Sequence, residues 1–468
     1  MSEPLQPVIV GAGPAGIRAA ERLVRAGLRP IVLDEGQRAG GQIYRRPLIE
    51  DGRSYRSRYG SEAGKARKLH EAFEALLPAI DYRPETLVWN VSAAERGNQL
   101  DLLSAGRHRQ IGFTQLILCT GATDRVLPFP GWTMPGVYTL GASQVALKAQ
   151  GCTIGDRVVF MGSGPLLYLV AWQYMKAGAH VEAVLDTAPI TSKRHLLSLA
   201  VHAPRIVGLG LFYGLQLQLS GVKIRYGVRP QAVLGKGQVE GLGFRRPTLK
   251  GEVVETVSCD ALAYGFALRP ETQLADLAGC RFRFDVRDRA WLPERDAMGR
   301  TSRADVYIAG DGSGIAGADA AEISGELAAA ALLEDAGKTS VDAARLVAAS
   351  EAILRQRDIV ERAFPFPTDW FETLAGETTL CRCEEITMAE GRHAIASGSV
   401  SEINRLKALS RIGMGRCQGR MCSAAATELL SGACGVPAGE VGRLRAQAPV
   451  KPIPLGFGAG AEEAEARP

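Results

Sequence analysis

Val8-Ile9-Val10-Gly11-Ala12-Gly13-Pro14-Ala15-Gly16 is the stretch that decides how this chain folds. Three β-branched residues make a short buried strand, three glycines make a turn, and a helix from Ile17 to Ala26 leads to a second strand, Pro30 to Leu33. In that strand–turn–helix setting the G-x-G-x-x-G spacing has physical meaning. Gly11 permits the tight turn, Gly13 lets backbone approach a pyrophosphate, and Gly16 lets helix and strand pack closely. Pro14 and Ala15 open the helix, whose N-terminus faces the phosphates. Asp34 and Glu35 end the second strand, 18 and 19 residues after Gly16. Either can accept hydrogen bonds from a ribose. A merely structural glycine turn would leave these carboxylates unexplained.

A similar unit begins at Arg157. Val158–Met161 reads as strand, Gly162–Gly164 as turn, Leu166–Ala177 as helix and Val181–Leu185 as the next strand. Its third fingerprint position is Leu167 instead of glycine, and Asp186 stands 19 residues later. A leucine there is expected to push the helix off the strand and spoil a nicotinamide pocket, leaving a scaffold. Further strands are expected at Thr86–Val91, Leu100–Leu103, Leu116–Cys119, Val222–Tyr226, Ala232–Leu234 and Ala261–Tyr264. Helices are expected at Lys65–Leu77 and Asp342–Phe364. Arg45–Arg58 reads as an arginine-rich loop and Ile206–Leu219 as a buried or interface-facing helix. The segment around Gly456–Gly460 and Glu462-Glu463 reads as disordered.

Outward from the first turn, three more pieces fall in order: Gly40-Gly41-Gln42, then Thr120-Gly121-Ala122 with Pro128 and Pro130-Gly131, then Val306-Tyr307-Ile308-Ala309-Gly310-Asp311. Together they resemble the two-dinucleotide-domain flavoproteins of the glutathione-reductase-like fold, an α/β class. The resemblance implies FAD at the first turn and assigns Asp311 to its ribityl chain, although an aspartate there can also cap a helix. It implies an FAD-binding domain at 1–135 and 271–338, interrupted by a degenerate NAD(P)-binding-like domain at 136–270, then a helix and linker at 339–375.

Composition bounds the rest. The 468 residues exceed one ordinary core; 46% are hydrophobic and 22% charged, as in soluble globular proteins. A net charge of +5 with no dense basic run gives no case for nucleic acid. No signal peptide is evident, and no run approaches the ~18 apolar residues of a membrane span. Nine cysteines without an export signal fit a reducing cytoplasm. Cys119, Cys152, Cys259 and Cys280 are isolated and read as small core residues, which argues against a disulfide reductase. None of the six histidines sits in a recognisable catalytic motif.

Cys381-Arg382-Cys383, 33 residues, then Cys417 and Cys422 as C-x4-C is the remaining motif. Four thiolates so spaced can hold a [2Fe–2S] cluster. Zinc is the alternative, although C-x-C is tight for its usual knuckles. Arg382, Arg416 and Arg420 either raise the cluster's potential or are solvated surface charges. The run from Cys381 through Glu384-Glu385-Ile386-Thr387 to Gly413-Met414-Gly415-Arg416-Cys417-Gln418-Gly419-Arg420-Met421-Cys422 resembles the bacterioferritin-associated-ferredoxin-like [2Fe–2S] domain, though C-x4-C replaces the usual C-x2-C. It implies a small, mainly helical domain at 376–446 and a flexible tail at 447–468.

Fused behind the flavoprotein motifs, this module resembles the α (A) subunit of heteromeric amine dehydrogenases, a group that includes opine oxidase, D-hydroxyproline dehydrogenase and hydrogen cyanide synthase. The resemblance implies an electron-relay chain. A D-amino-acid-oxidase-like β (B) partner would oxidise the amine, some members imply FMN at the subunit boundary, and electrons would leave for a respiratory acceptor. That acceptor would place a cytoplasmic protein at the inner face of the membrane. Two rivals stand beside this reading: a stand-alone NAD(P)H:acceptor reductase, which needs the second pocket to work, and a zinc-bearing assembly protein without catalysis.

Overall fold

A computed structural model describes residues 5–50, 52–94, 97–338, 342–368, 370–371 and 373–454. The opening apolar run forms β1 (Pro7–Val10), buried on every residue. Helix α1 (Pro14–Arg25) starts three residues earlier than its apolar periodicity suggests, because a proline's fixed φ and missing N–H suit the first helical turn. Strand β2 (Ile31–Leu33) then pairs with β1 in parallel, and β3 (Gln115–Leu118) pairs in parallel with its other side. Buried on both faces, these strands read as continuous apolar runs.

The second unit repeats the plan. It comprises β4 (Arg157–Ser163), α2 (Pro165–Lys176), β5 (His180–Asp186), α3 (Leu196–His202), α4 (Pro204–Leu219) and β6 (Ala261–Phe266). Its five parallel strands run in the order 223–226, β5, β4, β6, 137–139. The chain then returns to the first sheet, where β7 (Val306–Ile308) joins the free edge of β3. The first sheet is therefore ordered β7-β3-β1-β2 followed by 81–83.

Helix α5 (Ala318–Asp335) packs across α1 so closely that a Cβ on Gly325 would lie 2.0 Å from the Ala15 carbonyl oxygen. Helix α6 (Ala343–Ala363) leads to the C-terminal module, where a two-stranded ribbon precedes α7 (Met388–Gly398), α8 (Ile403–Ser410) and α9 (Ser423–Cys434). Thr387 and Glu390 cap α7 reciprocally. The module shares one continuous core with the second sheet. Trp370 meets Phe266 edge-on at 5.2 Å, and the Trp132 indole donates to the Thr379 carbonyl at 2.7 Å.

Some expectations need correcting. The arginine-rich segment closes with a helical turn, Tyr55–Tyr59, because Ser54 caps it and Tyr59 is buried. Cys152 is exposed, unlike buried Cys119, Cys259 and Cys280, since it follows the left-handed Gly151 out of a helical turn. The segment 206–219 is helical within α4; Tyr213 and Leu217 are buried and Leu209 packs against the core, while Leu211, Leu215 and Leu219 are exposed. Helix α2 begins directly after the turn, and Leu167 is wholly buried in the core beneath it. The flexible tail expected at 447–468 is instead packed at its start, where Val450 is buried and its N–H donates to the Trp89 carbonyl at 3.0 Å; residues around Gly456–Gly460 lie outside the described residues.

Candidate functional site

The first turn is a cradle built from absent side chains. Gly11 has φ +106°, and a Cβ there would stand 2.3 Å from the Cys119 carbonyl oxygen. A Cβ on Gly16 would stand 1.8 Å from the Gly11 oxygen, so only glycine allows α1 to sit this close to β1. The Gly40-Gly41-Gln42 loop lies over the turn: the Gly40 N–H donates to the Ala12 carbonyl at 2.8 Å, and a Cβ on Gly41 would reach within 2.9 Å of the Gly13 Cα. No side chain caps the N-terminus of α1 at Gly13. Its first N–H groups and the helix dipole are thus left for an anionic ligand, the arrangement a pyrophosphate needs. Gln42 is exposed and accepts from the Arg45 guanidinium at 2.7 Å.

The two candidate ribose carboxylates separate in the structure. Asp34 is turned inward, with one oxygen accepting from the Ala12 N–H and the other from the Gly36 N–H at 2.6 Å. Burial raises its carboxyl above the ordinary range against the pull of those donors. Asp34 therefore braces the glycine turn from below. Glu35 is exposed and paired with Lys451, which reaches back from beyond the cysteine module.

Thr120 and Gly121 follow β3 and are tied to one residue the sequence did not flag. The Thr120 hydroxyl donates to the Glu271 carbonyl at 2.5 Å, and the Glu271 N–H donates to the Gly121 carbonyl at 2.9 Å. Gly310 has φ +69°; its N–H donates to the Ser324 hydroxyl at 2.7 Å, and a Cβ there would stand 3.0 Å from the Ala15 Cβ. Asp311 Oδ1 accepts from the Ala316 and Gly317 N–H groups at 2.9 and 3.0 Å, bracing the approach to α5. Burial raises its carboxyl too. Beside it opens a small cleft of about 40 Å³, lined by Gly310, Asp311, Ser313, Ser324 and Arg357.

The second turn keeps its tight approach, for a Cβ on Gly162 would stand 1.8 Å from the Gly265 oxygen. Its acidic residue, however, is already engaged. Asp186 is fully buried and accepts from the Tyr168 hydroxyl at 2.7 Å, the Lys193 ammonium at 2.9 Å and the Ala188 N–H at 2.9 Å. The Lys193 ammonium also sits 3.3 Å from the centre of the Phe364 ring. Burial raises the Asp186 carboxyl and lowers the Lys193 ammonium, and each opposes the other's shift. A carboxylate filled by its own chain is a structural brace. Tyr168, one residue past Leu167, is the sequence position that could have warned of it.

The four C-terminal cysteines come together, Cys381 beside Cys422 and Cys383 beside Cys417, with Cys417 also near Cys422 and Cys381 near Cys383. Cys422 donates to Cys381, and backbone N–H groups of Gly413, Glu384 and Cys383 also point at the Cys381 sulfur. Together they hold its thiol down to about 6. Donation to Cys381, then burial, push Cys422 well up. Gly415 sits against Cys383, where any Cβ would stand 2.3 Å from the cysteine's own. Gln418, beside Cys417, is held at φ +51°. Among the described residues, no three His, Cys, Asp or Glu side chains surround one point as ligands of a single ion. Four thiols gathered in one place are a donor set that fits a two-iron group.

Arg382 and Arg416 are exposed. Arg420 is not a solvated surface charge. It lies against Glu271, Nε to Oε2 at 2.7 Å, with side chains only 12% and 9% exposed. Burial pushes the Glu271 carboxyl up, but Arg420 and Arg269 outweigh it, and the net shift is downward. Arg269 in turn donates to the Ser423 hydroxyl at 2.7 Å. The Thr120-Gly121 motif and the Cys417–Cys422 loop therefore meet at a single buried residue, Glu271.

Two glycine turns on paired parallel sheets define the class. The chain belongs to the Pyridine nucleotide-disulphide oxidoreductase family, whose pattern it matches over residues 5–331, and that family implies a flavin cofactor. Within it, the chain is a member of the family of flavin-oxidoreductase subunits that contains the opine oxidase A subunit and the hydrogen cyanide synthase subunit HcnB. It is 40% identical to the opine oxidase A subunit of Rhizobium meliloti, over 96% of this chain and 86% of that protein. It is 33% identical to HcnB of Pseudomonas protegens, over 96% of this chain and 97% of that one. L-proline dehydrogenase from P. horikoshii shares the fold, with a TM-score of 0.69 at 20% identity over 97% of this chain and 79% of that one.

Proposed function

We propose that this chain is the electron-transfer subunit of a heteromeric flavin-dependent dehydrogenase that oxidises the C–N bond of an amino acid or secondary amine of the opine or D-hydroxyproline type. The observation that carries the reading is the junction at Glu271, bonded by its backbone to Thr120 and Gly121 and by its carboxylate to Arg420 between two of the cysteines. FAD would lie along Gly11–Gly16, Asp34, Glu35, Gly41, Gln42, Thr120, Gly121, Gly310 and Asp311, and a [2Fe–2S] cluster on Cys381, Cys383, Cys417 and Cys422. When bound, the flavin would exchange electrons in pairs and the cluster singly.

This chain's own task is positional. The glycine turn and the α1 N-terminus orient the pyrophosphate, Asp34 and Asp311 stiffen the walls, and Glu271 holds the cysteine loop against the flavin motif. The tight C-x-C spacing of Cys381 and Cys383 suits iron–sulfur better than the C-x2-4-C knuckles of zinc sites. The engagement of Asp186 by Tyr168 and Lys193 favours a relay over an NAD(P)H reductase. The relatives' designation as subunits supports a partner, read here as the D-amino-acid-oxidase-like β (B) chain. FMN at the boundary and a respiratory acceptor complete the proposal.

The test is co-expression with the product of the neighbouring gene and anaerobic purification. Flavin, iron and sulfide are assayed, low-temperature EPR is recorded after reduction, and amines are screened with a dye acceptor. The reading expects flavin, a cluster signal and turnover of an amine only by the heteromer. Zinc without a cluster signal, or rapid flavin bleaching by NADH, overturns it.

A further inference from the structure

A cavity of about 110 Å³ lies where the flavin-type domain meets the cysteine module, and neither glycine turn contributes to it. Its walls are the segment at 269–276, the antiparallel hairpin of Phe282–Asp285 and Ala290–Pro293, the loop between Cys417 and Cys422, and the start of α9. Arg125, Arg269, Arg289 and Arg443 all line it, against a single carboxylate, Asp276. Two of these guanidiniums are neutralised. Arg289 lies on Glu428 at 2.8 Å, and Arg443 on Asp276, Nη2 to Oδ1 at 2.8 Å.

The other two carry no carboxylate among the described residues. Arg125 is only 4% exposed; it donates to the Asp288 carbonyl, and its guanidinium carbon stands 5.1 Å from the centre of the Phe366 ring. The acids that act on it, Asp288 and Glu361, are both engaged by Arg357. Arg269 gives one N–H to the Ser423 hydroxyl at 2.7 Å, while its Nε is shut off from solvent with nothing to donate to. The acid that acts on it most, Glu271, is held by Arg420. Cations desolvated in this way are costly unless an anion joins them. The same wall carries an orphan acceptor. The Gln273 amide nitrogen donates to the Gln418 carbonyl at 2.9 Å, but its Oε1 is buried without a donor. One ligand that satisfies both atoms must accept from a guanidinium and also donate to an amide oxygen. Chloride, sulfate and an ionised carboxylate have no proton to give. Inorganic phosphate at neutral pH keeps at least one O–H, and its oxygens suit guanidinium donors.

We propose that this cavity is a phosphate site, in which Arg125 and Arg269 hold a hydrogen phosphate ion that donates its O–H to Gln273 Oε1. The bound ion joins the two modules, because Arg125, Arg269 and Gln273 belong to one and the Ser423 and Gln418 that position them belong to the other. The site stands apart from the electron-relay reading, and its test reads phosphate binding, not turnover, so each can fail alone.

Full-length chain purified without phosphate is titrated calorimetrically with sodium phosphate and with sodium sulfate at matched ionic strength and neutral pH. The wild type binds one phosphate per chain and takes sulfate about tenfold more weakly, the factor for leaving one buried acceptor unpaired. Arg269→Gln weakens phosphate binding by about tenfold or more, as expected for losing a charged donor. In phosphate-free buffer the same variant melts no lower than wild type, because it removes a buried charge that lacks a partner. Gln273→Met keeps phosphate binding but brings sulfate to nearly the same affinity, since no acceptor is then left unpaired. Absence of phosphate binding at millimolar concentration overturns the proposal, as do equal affinities of wild type for phosphate and sulfate. Binding unchanged by Arg269→Gln also overturns it, and so does a lower melting midpoint of that variant without phosphate, which makes the arginine a structural brace. Phosphate that binds only by displacing a flavin overturns it too, and assigns the cavity to the flavin's own phosphate.

Discussion

Removing the carboxylate of Glu271 should show whether the nucleotide-binding sheet and the cysteine module are joined where the structure places the joint. Glu271→Ala leaves the Arg420 guanidinium in a site only 12% exposed, with Arg269 beside it and no counter-charge. Breaking a buried ion pair by deleting one partner costs about 3–5 kcal/mol, because the remaining charge stays desolvated. Glu271→Gln keeps the shape and one acceptor, so it should recover part of that, ending about 1.5–3 kcal/mol below wild type. The pH dependence gives an independent check. The Glu271 carboxyl is held below its usual value of 4.5 in the folded chain. Its contribution is therefore present above pH 4.5 and disappears as pH falls through the lower folded value. Urea unfolding followed by circular dichroism at pH 7 and at successive steps below pH 4.5 measures both effects. Wild type should lose stability across the acid range more steeply than Glu271→Gln. A Gln variant within about 0.5 kcal/mol of wild type at pH 7, with an unchanged acid slope, would refute the junction.

Other outcomes follow from the same geometry. Gly16→Val should yield protein without flavin absorbance, since even its Cβ would stand 1.8 Å from the Gly11 oxygen; a variant with normal flavin content would count against the cradle. His70 is buried, with one ring nitrogen bonded to the Tyr44 carbonyl and the other to the Tyr55 hydroxyl. Burial brings it down to about 4. Its protonation therefore favours the unfolded chain between pH 6.5 and 4, and His70→Gln should remove roughly 3 kcal/mol of acid sensitivity over that window in the same unfolding assay. Cys383→Ser, which removes one of the four thiols, should lower iron and acid-labile sulfide together from about two of each per chain. Loss of zinc alone would point to the other metal.

Much of the nucleotide cradle was legible because glycine is required there for reasons that local geometry imposes. A turn with φ +106° at Gly11 and a helix seated on a strand at Gly16 exclude side chains whatever the rest of the chain does. The parallel strands were legible for a related reason: burial on both faces writes itself as unbroken Val, Ile and Leu. The cysteine spacing was readable, but not how the four side chains meet, which depends on how the loop before α9 and the ribbon before α7 pack together. The fate of the carboxylates was not readable at all. Asp34 and Glu35 are neighbours with the same chemistry, yet one braces the glycine turn and the other reaches Lys451. Asp186 occupies a ribose-binding register but is spent on Tyr168 and Lys193.

By itself, then, the sequence determined the two strand–turn–helix units, the flavin-type motifs in their order, and a four-thiol module behind them. Each of these is set by contacts between residues close in the chain or by backbone constraints intrinsic to glycine and proline. The tertiary structure alone decided that Glu271 joins Arg420 across 149 residues, that the second pocket's acid is filled, and that the outer faces of α3 and α4 stay bare. Those outcomes depend on which desolvated charges and apolar surfaces finally meet, and spacing along the chain does not encode that.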